Sequence, residues 1–332
     1  MTDAVMQQLE MMKLLEPAVQ EKLVLLRPVA ECWQPDDFLP DFSGEDWIER
    51  LTEFRDQAQG TPDELLVVLI GNTITEEALP SYQTWLNRVQ GVTDETGTDM
   101  APWAQWSRGW TAEENRHGDI LNQFLYLSGR VDMRCVQATI QHLIRSGFNP
   151  EVGTDPYQSL MYVSFQERAT KISHANVAGQ ARRGGQENLA KMCGVVAGDE
   201  ARHEEAYKYF AREIFVRDPE GALIAFEALM RTKVTMPAKQ MDDGECDDIF
   251  GQFTRVAQST TVYTVSDYTS IIEHLLKQWS VPDWTGLGPE GAEAQEYLCK
   301  LAPQMRRIAE RVETRMVKQP KRPFAWIYGR SA

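Results

Sequence analysis

The 332-residue chain has no long hydrophobic run; its longest strongly apolar stretch is only Leu65 to Ile70. A membrane-spanning helix takes about 20 apolar residues, so no segment reads as a membrane span. Positive charge is scarce: 34 Lys and Arg stand against 49 Asp and Glu, a formal net charge of −15. That balance speaks against broad binding to nucleic acid or to an anionic membrane. Cysteine is sparse too. Cys32, Cys135, Cys193, Cys246 and Cys299 are odd in number, widely spaced and form no CxxC, the pattern of free thiols in a reducing compartment. The N-terminus shows neither a basic-then-apolar secretory pattern nor an Arg- and Ser-rich transit pattern. This points to bacterial cytoplasm, or to plastid stroma if a targeting segment has been removed. Linkers rich in Gly, Ser or Pro are missing, as are low-complexity tracts. One large all-helical domain over 1–332 is the simplest architecture.

What is present is helical periodicity. Thr61-Pro62-Asp63-Glu64 reads as a helix start, with Thr61 as N-cap and Glu64 at the capping-box position. That helix is expected over 61–90, with a kink or break at Pro80. Further helices are expected over 103–127, on to about 146, and over 157–181, 187–215, 220–235, 247–258, 264–279 and 289–315. The tail Pro323 to Arg330 reads as a possible short β-hairpin.

Two stretches repeat. Glu113-Glu-Asn-Arg-His117 and Asp199-Glu-Ala-Arg-His203 share the pattern acid-Glu-x-Arg-His. Each contains Glu-x-x-His, which on a helix places both side chains on one face within reach of one metal. Both motifs also lie on apolar stripes. Trp103, Trp106, Trp110, Glu114, His117, Leu121 and Phe124 follow helical spacing, as do Leu189, Cys193, Val196, Glu200, His203, Tyr207, Phe210 and Ile214. A carboxylate on a core-facing stripe is costly unless it is paired or holds a metal.

A dinuclear carboxylate centre needs one more Glu from each of two further helices. Glu167 stands on the stripe Leu160, Val163, Glu167, Thr170, His174, Val177. The other candidate is Glu76 or Glu77, between which helical phase does not choose. The expected centre has four Glu and two His, a donor set suited to iron or manganese rather than structural zinc. The expected fold is an all-α, ferritin-like four-helix bundle with additional packed helices. The competing reading is a bundle with buried ion pairs and no metal. Asp199 and Glu113 are positioned to accept from the other repeat's imidazole, and Thr170 lies one turn from Glu167. His142, His174 and His274 read as surface or satisfied core residues.

At these residues the chain resembles the soluble acyl-acyl carrier protein desaturases. The similarity is carried by Trp33-Gln-Pro-Asp-Asp-Phe-Leu-Pro40, Ile74-Thr-Glu-Glu-Ala-Leu-Pro80, Trp110-Thr-Ala-Glu-Glu-Asn-Arg-His-Gly-Asp119, Tyr126-Leu-Ser-Gly-Arg-Val-Asp-Met133, Ser164-Phe-Gln-Glu-Arg-Ala-Thr170, Asp199-Glu-Ala-Arg-His-Glu204 and Pro323-Phe-Ala-Trp-Ile327. The resemblance implies Glu76 rather than Glu77 as ligand, beside Glu114, His117, Glu167, Glu200 and His203, and two Fe ions per chain. It implies that Thr170 places a hydroxyl near the oxygen site and that Trp33, Asp199 and His117 form a path from surface to metal.

The implied activity is O2-dependent desaturation of a C16 or C18 acyl chain on acyl carrier protein, with electrons from ferredoxin and a homodimeric assembly.

 The double bond so implied lies at the delta-9 position of that chain.

Three departures from the family pattern stand out. Trp85 and Arg88 follow Pro80 where plant enzymes of the family carry Met and a smaller polar residue, which shifts chain length or bond position if Trp85 lines the channel floor and changes nothing if it packs outward; Ser159 replaces a Gly near the channel, and Ala201 replaces a Lys between Glu200 and Arg202. Carrier proteins of this kind are acidic, so a chain of charge −15 must offer local positive charge to dock one. Arg231, Lys233, Arg306 and Arg307 are the candidates, partly because the family has basic residues there. A ferritin-like iron oxidase or another di-iron oxidase is the alternative on ligand pattern alone. The first class has chains near half this length. The second, typified by ribonucleotide reductase radical subunits, normally has Asp in the place of Glu76.

Overall fold

The computed structural model describes residues 3–315 and 320–332. Among them run twelve α-helices: α1 (Asp3–Lys22), α2 (Trp47–Gln59), α3 (Asp63–Glu77), α4 (Leu79–Leu86), α5 (Pro102–Ser128), α6 (Met133–Ser146), α7 (Pro156–Arg183), α8 (Glu187–Arg217), α9 (Pro219–Thr232), α10 (Ile249–Ser259), α11 (Val265–Gln278) and α12 (Pro289–Arg315). Local chemistry sets their ends. Pro102, Pro156 and Pro219 open helices where a missing N–H costs nothing. Asp155, Asp218 and Asp248 each accept a backbone N–H in the first turn of the helix that follows. Gly129 closes α5 in the left-handed region, at φ +67°.

The helix expected over 61–90 is two helices. The chain breaks at Ala78, and Pro80 starts α4. Thr61 does not cap α3, whose N-cap position is Pro62; the Thr61 hydroxyl instead lies 3.4 Å from Gln186 Oε1. Arg130 organises this corner, donating to the carbonyls of Ala58 and Gln59 and to the Asp63 carboxylate. Helices α1 and α2 were not read from the sequence. In α1, Met12, Leu15 and Val19 are buried at helical spacing. The tail does fold back, but as one antiparallel bridge, Pro323 to Ser331, around a 3-10 turn at Ala325–Ile327. Backbone hydrogen bonds join Arg322 with Ala332 and Phe324 with Arg330 across the turn, and Phe324, Trp326 and Ile327 are buried beneath them.

Helices α3, α5, α7 and α8 form the central bundle, and the other helices pack around it. Two apolar cores stack along the bundle. One gathers the first half of α5, the first half of α7 and the second half of α8 around Trp106, Phe165 and Phe210. The other gathers α3, the second halves of α5 and α7 and the first half of α8 around Leu69, Leu121 and Cys193. So α5 and α7 run parallel, α3 and α8 run antiparallel to them, and a polar layer lies between the cores. Gly118 lets α3 and α5 approach, since a side-chain carbon there would meet Glu76 and Glu77 at 3.1–3.3 Å.

Candidate metal centre

Both Glu-x-x-His motifs fall in the polar layer. All of Glu76, Glu114, His117, Glu167, Glu200 and His203 are buried. Their donor atoms converge in two groups, Glu76, Glu114, His117 and Glu200 in one, Glu114, Glu167, Glu200 and His203 in the other, with the atoms of each group within 4.8 Å of one another. Glu114 and Glu200 belong to both groups, as bridging carboxylates would. Glu77 is only partly buried and hydrogen-bonds Asn122 on α5, so the geometry separates it from its neighbour.

Both imidazoles turn Nδ1 to the centre. His117 Nδ1 lies 3.2 Å from Glu114, 3.4 Å from Glu200 and 3.9 Å from Glu76. His203 Nδ1 lies 2.7 Å from Glu114 and 3.6 Å from Glu167. The opposite nitrogens are held crosswise by the acids that precede each motif. His117 Nε2 is 3.4 Å from Asp199, and His203 Nε2 is 3.0 Å from Glu113. Arg202 donates to both Asp199 and Glu113, at 2.7 and 2.6 Å, and the Arg27 backbone N–H donates to Glu113 at 2.7 Å. Glu113 is thus a buried imidazole partner.

Trp33 donates from its indole to Asp199 at 3.0 Å, and its ring stacks on His117 at 6.1 Å and 7°. The three residues form one connected chain. Trp110 donates to Glu167 at 3.0 Å. His174, read from the sequence as a satisfied core or surface residue, faces the centre instead, with Nε2 2.9 Å from Glu76. The signal was present: His174 shares the internal stripe of Glu167.

The electrostatics fit a pair of cations. Burial pushes the Glu167 carboxyl well above the usual carboxylate range, and burial with the neighbouring Glu200 and Glu114 charges raises Glu76. Burial opposes ionisation of Glu114 too, but His117 and His203 outweigh it and hold Glu114 low. Burial depresses an imidazole's basicity, yet the surrounding carboxylates hold His117 and His203 well above their usual range. Although His203 Nδ1 and Glu114 Oε1 lie 2.7 Å apart, they are not aligned as a hydrogen bond, and with Glu200 Oε1 they are buried without a hydrogen-bond partner. Such groups are costly unless something binds them. Four carboxylates balance two divalent cations, and the oxygen and imidazole donors suit iron or manganese.

Similarity to known proteins agrees with this centre. The fatty acid desaturase family model matches residues 7–328. The chain belongs to the fatty acid desaturase family. An acyl-[acyl-carrier-protein] desaturase of Cucumis sativus is 52% identical over 98% of this chain and 82% of its own length. A stearoyl-[acyl-carrier-protein] 9-desaturase of Ricinus communis is 50% identical over the same shares. In fold, the chain is similar to DesA2 of Mycobacterium tuberculosis, with TM-score 0.54 and 18% identity over 86% of this chain and 99% of that one. No helix among the described residues is long and apolar enough to cross a membrane.

In this desaturase, a cavity of about 40 Å³ beside the centre is lined by Thr75, Glu76, Leu79, Tyr82, Trp110, Glu167 and Thr170, among others. A larger cavity of about 140 Å³ adjoins it, sharing Thr75, Gln166 and Thr170 and walled by Met236, Phe250, Phe253 and Tyr263. Thr170 thus lines both cavities, while its hydroxyl donates back to the carbonyls of its own helix at 3.0–3.2 Å.

The departures at Trp85, Arg88 and Ser159 fall in different places. Trp85 is half-buried, edge-on to Phe148 and Tyr162. Arg88 is exposed on an outer hollow that Trp85 and Phe148 also line, so it does not reach the centre. Ser159 is buried, but its hydroxyl is spent on the Asp155 carbonyl at 2.6 Å. Of the candidate docking cations, Arg231 is forked onto Glu227 and lies over the Tyr297 ring. Arg306 is forked onto Glu273. Lys233 and Arg307 are exposed.

Proposed function

We propose that this enzyme desaturates a saturated acyl chain of sixteen or eighteen carbons carried on acyl carrier protein, at the delta-9 position, at an iron pair held by Glu76, Glu114, His117, Glu167, Glu200 and His203. Dioxygen is the oxidant and ferredoxin the electron donor. Removing two hydrogens while reducing dioxygen to two waters takes two electrons and two protons from outside. The carrying observation is the pairing of two donor groups that share Glu114 and Glu200 with an adjoining apolar cavity.

Unactivated C–H bonds lie beyond acid–base side chains, and an iron pair supplies the redox chemistry they require. The protein's own groups supply position. Trp110 fixes Glu167 and His174 fixes Glu76. Asp199 and Glu113 set the orientation of both imidazoles. The apolar walls exclude water and hold the acyl chain, so its depth selects the bond. Trp33, Asp199 and His117 provide the connected route by which electrons reach the buried centre.

The test is incubation of iron-loaded protein with oxygen, reduced ferredoxin and palmitoyl- or stearoyl-carrier protein, with any double bond located by mass spectrometry. A monounsaturated product that Glu167→Ala abolishes supports the reading. Two bound irons with no product on either substrate would overturn the assigned chain length and favour a ferritin-like iron oxidase.

A further inference from the structure

One buried carboxylate plays no part in the chemistry above. Glu204 on α8 is 2% exposed, yet it faces three cationic side chains and an imidazole. Arg168 Nη1 and Lys171 Nζ on α7 each lie 2.7 Å away. His274 Nε2 on α11 lies at 3.2 Å, and Lys208 Nζ, on α8 itself, at 3.7 Å.

The placement of this cluster is regular. Glu204 follows His203, Arg168 follows Glu167, and Lys171 follows Thr170. Neighbouring residues on a helix differ in height by only about 1.5 Å but point to different sides. The pair Glu167 and His203 faces inward, and the pair Arg168 and Glu204 ties the same two helices at the same height outside it. Any axial slip of α7 against α8 would break the outer ion pairs together with the inner 3.6 Å spacing of Glu167 and His203.

The two donor groups differ in their dependence on this register. The group of Glu76, Glu114, His117 and Glu200 comes from α3, α5 and α8. Only the group of Glu114, Glu167, Glu200 and His203 takes a ligand from α7; the other meets α7 only through His174, which holds Glu76.

We propose that Glu204 is a positioning residue for the metal centre. Its ion pairs to Arg168 and Lys171 lock the register of α7 on α8, and so shape the half of the centre that contains Glu167 and His203. The proposal rests on the metal-centre reading above.

The experiment titrates metal-free full-length protein with Co²⁺, following visible absorption and bound metal per chain, for the unaltered protein, Glu204→Gln and Arg168→Gln. The second variant leaves Glu204 its other partners, and so decides the matter if the first does not fold. Helicity and melting temperature are measured alongside. The expected result is one Co²⁺ weakened by roughly ten- to a hundredfold, the effect typical of outer partners of metal ligands, and the other weakened by clearly less. A purely structural ion cluster would lower the melting temperature and leave both affinities unchanged. That outcome, or equal weakening of both ions, overturns the proposal. Failure of the unaltered protein to bind two ions would instead overturn the metal-centre reading itself.

Discussion

His174 Nε2 on α7 lies 2.9 Å from Glu76 Oε1 on α3, both side chains buried between the two apolar cores. The contact joins the helix that carries Glu167 to the one that carries Glu76. It fixes one Glu76 oxygen and leaves the other, Oε2, toward His117. His174→Ala is expected to fold with the same helicity but to hold iron more weakly by roughly ten- to a hundredfold. Iron retained after gel filtration, against a chelator series, checks this. Retention equal to that of the unaltered protein would remove His174 from the centre.

Trp85 separates two spaces. Tyr82 lines the cavity beside the centre, while Trp85 and Phe148 line the outer hollow. Phe148 contacts both Tyr82 and Trp85 edge-on. Trp85→Ala is expected to open this wall and admit a longer acyl chain. The ratio of kcat/KM for stearoyl- over palmitoyl-carrier protein should rise by about tenfold, the scale of added methylenes in an apolar pocket. An unchanged ratio would place the end of the acyl chain elsewhere.

Glu204 also makes stability depend on pH. Burial opposes its ionisation, but His274, Lys171 and Arg168 outweigh burial and hold its carboxyl below the usual range. A lowered folded pKa contributes stability that is complete above the unfolded value, about 4.3, and is lost as pH falls through the folded value. Glu204→Gln is therefore expected to destabilise the protein by on the order of 3 kcal/mol at pH 7. The difference should shrink as pH is lowered below about 4. Urea unfolding of both proteins at stepped pH measures it, and a difference independent of pH would contradict the assignment.

The docking cations divide by their surroundings. Glu227 and Glu273 already neutralise Arg231 and Arg306, whereas Lys233 and Arg307 stand exposed. Lys233→Glu and Arg307→Glu are expected to raise KM for the acyl-carrier protein severalfold and to change its salt dependence, with kcat and bound iron unchanged. Substitution of Arg231 or Arg306 should do less. The reverse ranking in steady-state kinetics across a salt series would shift the docking surface.

The sequence by itself determined the bundle and the residues that could form the centre. Helical spacing put Glu114 and His117 on the Trp103 to Phe124 stripe, and Glu200 and His203 on the Leu189 to Ile214 stripe, because a buried face repeats at the helical period whatever packs on it. The doubled motif told which acids were paired. The break near Pro80 and the end of the helix expected over 103–127 were legible because both follow from backbone geometry. What only the tertiary structure decided depends on contacts between segments far apart in sequence. The bare sequence pattern left Glu76 and Glu77 open, and their separation depends on how α3 meets α5 at Gly118. The roles of Glu113, His174 and Glu204 depend on which helix lies opposite each, and periodicity along one helix carries no record of its neighbour. The Thr61 cap misled for the same reason. Gln186 and Arg130 took over that corner, since tertiary partners outweigh a local preference of about 1 kcal/mol.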